Sequence, residues 1–454
     1  MTTISCDVAI IGAGTAGLHA YKSAAKAGAN VLLIEQGPGG STCTATGCIP
    51  SKLLIAAGRA AAQARKAHSF GVDVPDVVID GAAVMRRVQR ERDKSNGQIR
   101  DEYLAIPGKD RLHGRARFVS SNRLIVGEDI VEARAVIIAT GGYPKVPEAL
   151  EPIRAVVHTH ETIFEIPDLP ASLAVIGAGP LGLELAQAFS RLGVKVTVLD
   201  HAKAVGALKD PTCEHAAREA LGQTMTIALG VDVSAAMEGK QARLTWTGGH
   251  SGEAIVDMVL AATGRAPQLD GLDLDVTGVE TDEDGVPVFD PDTRRCGDGP
   301  IFLAGDVDAW RPVLHEAARG GTIAGHVAAG GDAFPPIPAL SIAFTEPNLV
   351  EIGAKHGSLP DGAIIGVAEA HDNARSGIDA DDKGLVHLYA DARGALIGGT
   401  IVLTGGEHLG QSLALAINRG MTAAEFADQT WYHPVLEEML QAAARDIVRQ
   451  AGGA

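Results

Sequence analysis

Residues 6–36 read CDVAIIGAGTAGLHAYKSAAKAGANVLLIEQ. An apolar run, Val8–Ile11, stops at Gly12-Ala13-Gly14-Thr15-Ala16-Gly17. An alanine-rich stretch follows, and a second apolar run closes on Glu35. Short apolar runs bounded by glycine read as buried strands, with a helix between them. Three glycines at this spacing allow a tight turn, let a pyrophosphate approach the backbone, and let the helix pack closely on the strand. The helix N-terminus then meets the phosphates with its partial positive charge. Glu35 is placed to accept hydrogen bonds from a ribose.

A second copy begins 165 positions later in SLAVIGAGPLGLELAQAFSRLGVKVTVLDH, with Gly177, Gly179, Gly182 and a closing Asp200. The aspartate suits a free ribose 2′-hydroxyl, hence NAD rather than NADP. His201 and Lys203 follow, but no arginine stands in that loop. Two dinucleotide units in one chain imply electron transfer between two dinucleotides, for which FAD and NAD are the natural pair. The run IFLAGDVD ends a strand in Gly305-Asp306 and would present a carboxylate to a ribityl hydroxyl. On its own it is also an ordinary strand-to-loop turn.

The chain has 454 residues and a net charge of -17. That length suggests two to four domains at roughly 100–200 residues each. The charge argues against nonspecific nucleic-acid binding. No apolar run approaches the ~18–20 residues of a membrane span, and no basic segment precedes the first apolar run as in a signal peptide. Five cysteines do not make a disulfide scaffold, so a reducing cytoplasm is the expected compartment.

Two of those cysteines, Cys43 and Cys48, bracket the small residues of CTATGC, and a helix is expected directly after them, over roughly 50–66. A helix N-terminus lowers a thiol pKa from ~8.5 toward neutrality, which points to redox chemistry. A structural disulfide or two buried thiols fit the bare spacing as well. A second helix is expected over 82–104. FPPIPAL reads as a boundary, and LVHLYADARGALIGGTIVLT alternates like antiparallel strands. In TWYHPVLEEML, His433 could move protons near neutral pH, oriented by a downstream carboxylate. Alone, it is also a helix entry. Cys6, Cys213 and Cys296 read as packing residues, and no metal-ligand spacing shows among the histidines.

With these parts in order, the chain resembles the class I pyridine nucleotide–disulfide oxidoreductases, and among them the dihydrolipoamide dehydrogenases. The resemblance rests on GAGTAG, STCTATGCIPSK, ATGGYP, GAGPLGLE, AATGRAP, IFLAGD, FTEPNLVEIG and HPVLEE. It implies an α/β fold with two Rossmann-like dinucleotide-binding domains and a C-terminal α+β dimerisation domain. The expected division is 1–145 for FAD with the redox disulfide, 146–265 for NAD, 266–333 returning to the FAD domain, and 334–454 for dimerisation.

The resemblance implies that Cys48 exchanges electrons with the flavin and that Cys43 meets the external disulfide. Lys52 pairs with Glu184 near the reactive edge of the flavin, and His433 with Glu438 forms an acid–base dyad. FAD contacts are implied at Gly12, Gly14, Gly17, Glu35, Thr42, Lys52, Gly114, Ala116, Thr140, Gly141, Gly142, Gly305, Asp306, Val313, Leu314 and His315. NAD contacts are implied at Gly177, Gly179, Gly182, Glu184, Asp200 and Gly264. No metal is implied. The activity implied is NAD-dependent oxidation of dihydrolipoyl groups on a carrier protein by a homodimer, with no nucleic-acid or membrane partner. The alternatives are an NAD(P)H-dependent reductase of another disulfide, or a flavin redox sensor with incidental turnover. Ser41 stands where the related enzymes have glycine, Thr44-Ala45-Thr46 where they have bulkier residues, and Trp431 where many have histidine. Trp431 is expected to narrow or change the substrate channel.

Overall fold

The computed structural model describes residues 2–452. In chain order the first elements are β1 (Thr3–Ile11), α1 (Thr15–Lys26), β2 (Val31–Glu35), α2 (Thr42–Ala45), α3 (Cys48–Lys66) and α4 (Gly81–Ala105). Then come β3 (Arg111–His113), β4 (Ala116–Ser120), β5 (Arg123–Val126), β6 (Asp129–Ile138), β7 (Gly142–Pro144) and β8 (Val157–His158). The second fingerprint lies in β9 (Ser172–Ile176), α5 (Pro180–Arg191) and β10 (Lys195–Asp200). It is followed by α6 (Pro211–Gly222), β11 (Thr226–Leu229), β12 (Val231–Glu238), β13 (Gln241–Gly248), β14 (Gly252–Val256) and β15 (Met258–Ala261). Next are β16 (Arg265–Pro267), β17 (Ile301–Leu303), α7 (Leu314–Ala328), β18 (Leu340–Ala343), β19 (Asn348–Gly353) and β20 (Ile364–Glu369). The chain closes with α8 (Ala374–Ile378), β21 (Leu385–Ala390), β22 (Leu396–Leu403), α9 (Gly406–Asn418), α10 (Ala423–Ala427) and α11 (Glu438–Gly452).

The chain divides into two units: Met1–Pro50, Arg87–Lys145 and Gly264–Pro336 in one, and Ser51–Arg86, Val146–Thr263 and Ile337–Ala454 in the other. The first is built on the sheet β3-β2-β1-β6-β5-β4, with β17 added to β6. β1 pairs in parallel with both β2 and β6, so it is flanked by strands on both edges. Val8 and Ile10 enter one core with α1 and α7, and Ala9 and Ile11 enter the other with β4 and β5. α1 and α7 lie close because α7 presents glycine to α1. A Cβ at Gly321 would sit 2.1 Å from the Ala16 carbonyl oxygen, and one at Gly325 would sit 2.3 Å from that of Ala20.

The second unit holds the parallel sheet β11-β10-β9-β15-β8, the antiparallel sheet β12-β13-β14, and the antiparallel sheet β18-β19-β22-β21-β20. β21 pairs antiparallel as the sequence suggests, yet all six of its residues are buried. Helix α11 packs on it, and α6 approaches it as well. The polar residue His387 can therefore be interior only because it is bonded there. Its Nδ1 lies 2.7 Å from the Asp210 carboxylate, which also accepts from the Tyr389 hydroxyl at 2.8 Å. The same carboxylate caps α6 by accepting from the N–H groups of Thr212 and Cys213. No helix of the described residues is long and apolar enough to cross a membrane.

Candidate active site

The first glycine fingerprint has the shape of a dinucleotide cradle. Gly12 has φ +105°, and a Cβ there would lie 2.4 Å from the Ala139 carbonyl oxygen. A Cβ at Gly14 would meet nothing within 4 Å, which leaves open space over the backbone, and one at Gly17 would lie 1.8 Å from the Gly12 oxygen. These are the tight turn, the approach for a pyrophosphate and the close helix–strand packing. The second fingerprint repeats it: Gly177 has φ +113°, Gly179 faces open space, and a Cβ at Gly182 would lie 2.0 Å from the Gly177 oxygen.

The acids that end the following strands match too. Glu35 accepts from Ala13 N–H and Gly37 N–H, each at 2.7 Å. Asp200 accepts from Ala178 N–H at 2.6 Å and Ala202 N–H at 2.9 Å. A carboxylate has about four lone-pair sites, so each acid keeps capacity for ribose hydroxyls. The residues thus fit a dinucleotide in each unit.

Other residues gather on the first cradle. A Cβ at Gly305 would lie 2.9 Å from the Ala16 side chain. Gly114 N–H donates to the Glu35 carbonyl at 3.0 Å. Asp306 is ion-paired with Arg265, whose other nitrogen donates to the Gly142 carbonyl at 2.6 Å. Thr140 donates to the Gln268 carbonyl at 2.6 Å, and Gln268 N–H to the Gly141 carbonyl at 2.9 Å. Ala116 is buried in the core at the start of β4, Thr42 is exposed, and Val313, Leu314 and His315 are exposed around the start of α7. Gly264 has φ +95° and open space above it, and by chain division it belongs to the first unit. Arg265 lies within the quoted AATGRAP run but is not among the residues singled out from it.

Cys43 and Cys48 are both half-buried, whereas Cys6, Cys213 and Cys296 are buried. Cys43 lies in α2 and Cys48 opens α3. Burial pushes the Cys6 and Cys296 thiols up to about 12, with Asp7 adding to the effect at Cys6, so both are unreactive packing residues.

In the second unit, Lys52 Nζ lies 2.7 Å from Glu184 Oε2, and Phe344 N–H donates to Glu184 Oε1 at 2.8 Å. The Lys52 ammonium also stands 4.4 Å from the centre of the Phe344 ring. The loop carrying Phe344 is fixed to α5: the Gln187 amide bonds both the N–H and the C=O of Glu346 at 2.8 Å. The Glu346 carboxylate pairs with Arg59 of α3 and Arg191 of α5. Glu184 is 4% exposed and Lys52 36%. Lys52→Met should therefore cost about 1–3 kcal/mol, because it strips one donor from a buried carboxylate. Glu184→Gln keeps an acceptor for Phe344 N–H and leaves the ammonium near solvent, so it should cost less. Denaturant midpoints check this; equal losses would contradict it.

His433 Nδ1 lies 3.1 and 3.2 Å from the two Glu438 carboxylate oxygens, and Val435 N–H donates to Glu438 at 3.1 Å. The His433 bond, then that N–H, hold the Glu438 carboxyl below the usual range. Its stabilising contribution is present above the ordinary glutamate pKa and is lost as acid protonates it. Nδ1 is thus engaged, and the side chain is 70% exposed. Trp431, two residues before His433, has its ring edge-on to Phe426 at 5.1 Å and packs on the C-terminal core.

Cys213 is buried like Cys6 and Cys296, and it lies in a cluster of polar groups. Asp210, Cys213 and His387 form a buried group whose ligand atoms lie within 4.8 Å of one another. Four protein donors already satisfy the Asp210 carboxylate, so hydrogen bonds account for the cluster. A further departure is Arg218. From α6 it donates to the Lys203 carbonyl at 2.6 Å, bringing an arginine to the loop after Asp200. Glu214 compensates its charge, accepting from Nε at 3.0 Å and from Nη2 at 2.6 Å.

Residues 6–322 match the pyridine nucleotide–disulphide oxidoreductase family, and residues 340–444 match its dimerisation domain. The chain belongs to the pyridine nucleotide–disulphide oxidoreductases. Like other members of this FAD-dependent, pyridine-nucleotide-using family, it combines an α/β nucleotide-binding region with a C-terminal dimerisation domain. It is 33% identical to a mercuric reductase from Shigella flexneri, over 96% of this chain and 80% of that one. It is 30% identical to a dihydrolipoyl dehydrogenase from Halobacterium salinarum, over 98% of this chain and 97% of that one. The same fold occurs in LpdA from Mycobacterium tuberculosis, at TM-score 0.84 and 23% identity over 98% of this chain and 99% of that one. It occurs also in the HOCl-induced flavoprotein disulfide reductase RclA from Escherichia coli, at TM-score 0.82 and 22% identity over 97% and 99%.

Proposed function

We propose that this oxidoreductase oxidises protein-bound dihydrolipoyl groups and reduces NAD through a Cys43–Cys48 redox disulfide. One observation carries the reading: the half-buried cysteines flank the start of α3 in the unit that also holds the Gly12–Gly17 cradle. In this reading residues 1–145 and 266–333 bind FAD, 146–265 bind NAD, and 334–454 pair two copies. Glu35 and Asp306 would hold the FAD ribose and ribityl chain. FAD, when bound, accepts two electrons from the dithiol and yields them as hydride to the nicotinamide.

The chain's own part is thiol–disulfide exchange. A substrate thiolate attacks the Cys43 sulfur and expels Cys48 as thiolate. His433, its Nδ1 held by Glu438, takes the proton of the second substrate thiol at Nε2. That thiolate closes the substrate disulfide and expels Cys43. Exchange runs through thiolates, so their stabilisation sets its rate. Lys52, held by Glu184 and Phe344, would supply positive charge near the reactive edge of the flavin.

Asp200 supports NAD over NADP, because its carboxylate repels a 2′-phosphate while the Arg218 charge is spent on Glu214. NAD(H) should therefore lead in kcat/KM, and Asp200→Ala should narrow the gap. Preference for NADPH in the unaltered protein would contradict this. A second reading, reduction of another disulfide or of a thiol-bound metal ion, draws on the mercuric reductase relatives. The deciding experiment is a panel of dihydrolipoamide, lipoyl protein, glutathione disulfide, thioredoxin and mercuric ion, assayed with both nicotinamide cofactors. Fastest turnover on dihydrolipoyl substrates is expected. Faster turnover on another member replaces the substrate, and none on any member favours a redox sensor.

A further inference from the structure

Two hydroxyl-bearing residues stand beside Cys43: Ser41 two positions before it and Thr44 directly after it. Ser41 is 8% exposed. Its Oγ lies 2.7 Å from Thr15 Oγ1, on the first residue of α1. The same Oγ accepts from the Cys43 N–H at 3.3 Å. The Ser41 carbonyl accepts from Thr44 N–H at 3.1 Å and Ala45 N–H at 2.9 Å. On the other side, Thr44 Oγ1 donates to Asn96 Oδ1 of α4 at 2.9 Å and lies 3.1 Å from the Ser41 carbonyl. Cys43 is thus bracketed by two side chains, one anchored to α1 and one to α4, all within the first unit.

We propose that Ser41 and Thr44 are positioning residues that hold Cys43 close to Cys48 and so bias the pair toward the disulfide. Two thiols held near each other meet at high effective concentration, and freeing one lowers it. Each acts through the placement of Cys43. The inference rests on the reading of Cys43 and Cys48 as a redox pair. It goes beyond that reading by assigning the poise of the pair to the two hydroxyl-bearing neighbours of Cys43.

Ser41→Ala and Thr44→Val remove the hydroxyls and keep the side chains near their original size. Each should lower the equilibrium constant for the disulfide by about two- to tenfold, the range set by losing one net hydrogen bond. A tenfold change is about 30 mV for this two-electron couple. Ser41→Thr and Thr44→Ser retain the hydroxyl and should stay near wild type. The holoenzyme is equilibrated in glutathione buffers of graded ratio, quenched by alkylation, and the Cys43 and Cys48 peptides are quantified by mass spectrometry, with no turnover required. The expected result is a shift toward dithiol in the hydroxyl-lacking variants only. Two outcomes overturn the proposal: no shift in either Ser41→Ala or Thr44→Val, or equal shifts in the hydroxyl-retaining variants. A wild-type protein that forms no Cys43–Cys48 disulfide in any buffer overturns the redox reading itself, and the proposal with it.

Discussion

Mixing a Cys43→Ser homodimer with a His433→Gln homodimer should restore up to about a quarter of wild-type activity, since random pairing makes half the dimers hybrid and each hybrid has one working site of two. The chain carries the family's dimerisation domain. His433 is 70% exposed, with Nδ1 tied to Glu438. In the proposed function it serves a site completed by a second copy. Removing a positioned acid–base group costs ~10²–10⁴-fold, so each parent homodimer should be nearly inactive in dithiol–disulfide turnover. In the hybrid, one site keeps both an intact cysteine pair and an intact histidine, while the other site lacks both. The measurement is turnover before and after subunit exchange, with exchange verified by mass. No recovery despite exchange would place His433 in its own chain's site or outside the mechanism.

Asp210→Ala should be the most damaging single change to stability. The fully buried Asp210 carboxylate accepts four hydrogen bonds, from Thr212 N–H, Cys213 N–H, His387 Nδ1 and the Tyr389 hydroxyl. Losing an N-cap costs ~1 kcal/mol, and each buried donor left without an acceptor costs about 1–3 kcal/mol more. A total of about 3–5 kcal/mol is expected, at the upper end of what single substitutions do. Asp210→Asn keeps an oxygen for the cap and should lose less. Burial alone would raise this carboxyl, but the bonds from His387, Cys213 N–H and Tyr389 outweigh it and hold it well below the usual range. Its contribution is therefore in force above the ordinary aspartate pKa of ~3.9 and fails only as pH falls through the lower folded value. Asp210→Asn should flatten the acid limb of a stability–pH curve. An Asp210→Ala midpoint close to wild type would contradict the assignment.

What the sequence reveals and what it hides divide along a physical line. The cradles were legible because their information is local: three glycines within six residues, then an acid at the next strand end. The Lys52–Glu184 pair, 132 residues apart, was legible only through resemblance. The Asp210–His387 contact spans 177 residues and has no local signature, so Cys213 read as packing and His387 went unremarked. Arg218 was missed because a helix brings it to the loop after Asp200 from outside that loop. Phe344 escaped because it serves through its backbone N–H, which any residue but proline would supply. The burial of all of β21 ran against the alternating pattern, since helices cover the sheet on both faces.

The central claim, that Cys43 and Cys48 form a redox pair with Cys48 nearest the flavin, is tested most directly by anaerobic two-electron reduction of the FAD-loaded protein. A long-wavelength charge-transfer absorbance should appear in the wild type. It should be absent from Cys48→Ser and present before any reduction in Cys43→Ser, where Cys48 remains as the lone thiolate. An undiminished band in Cys48→Ser, or none in the wild type after two electrons, would contradict it.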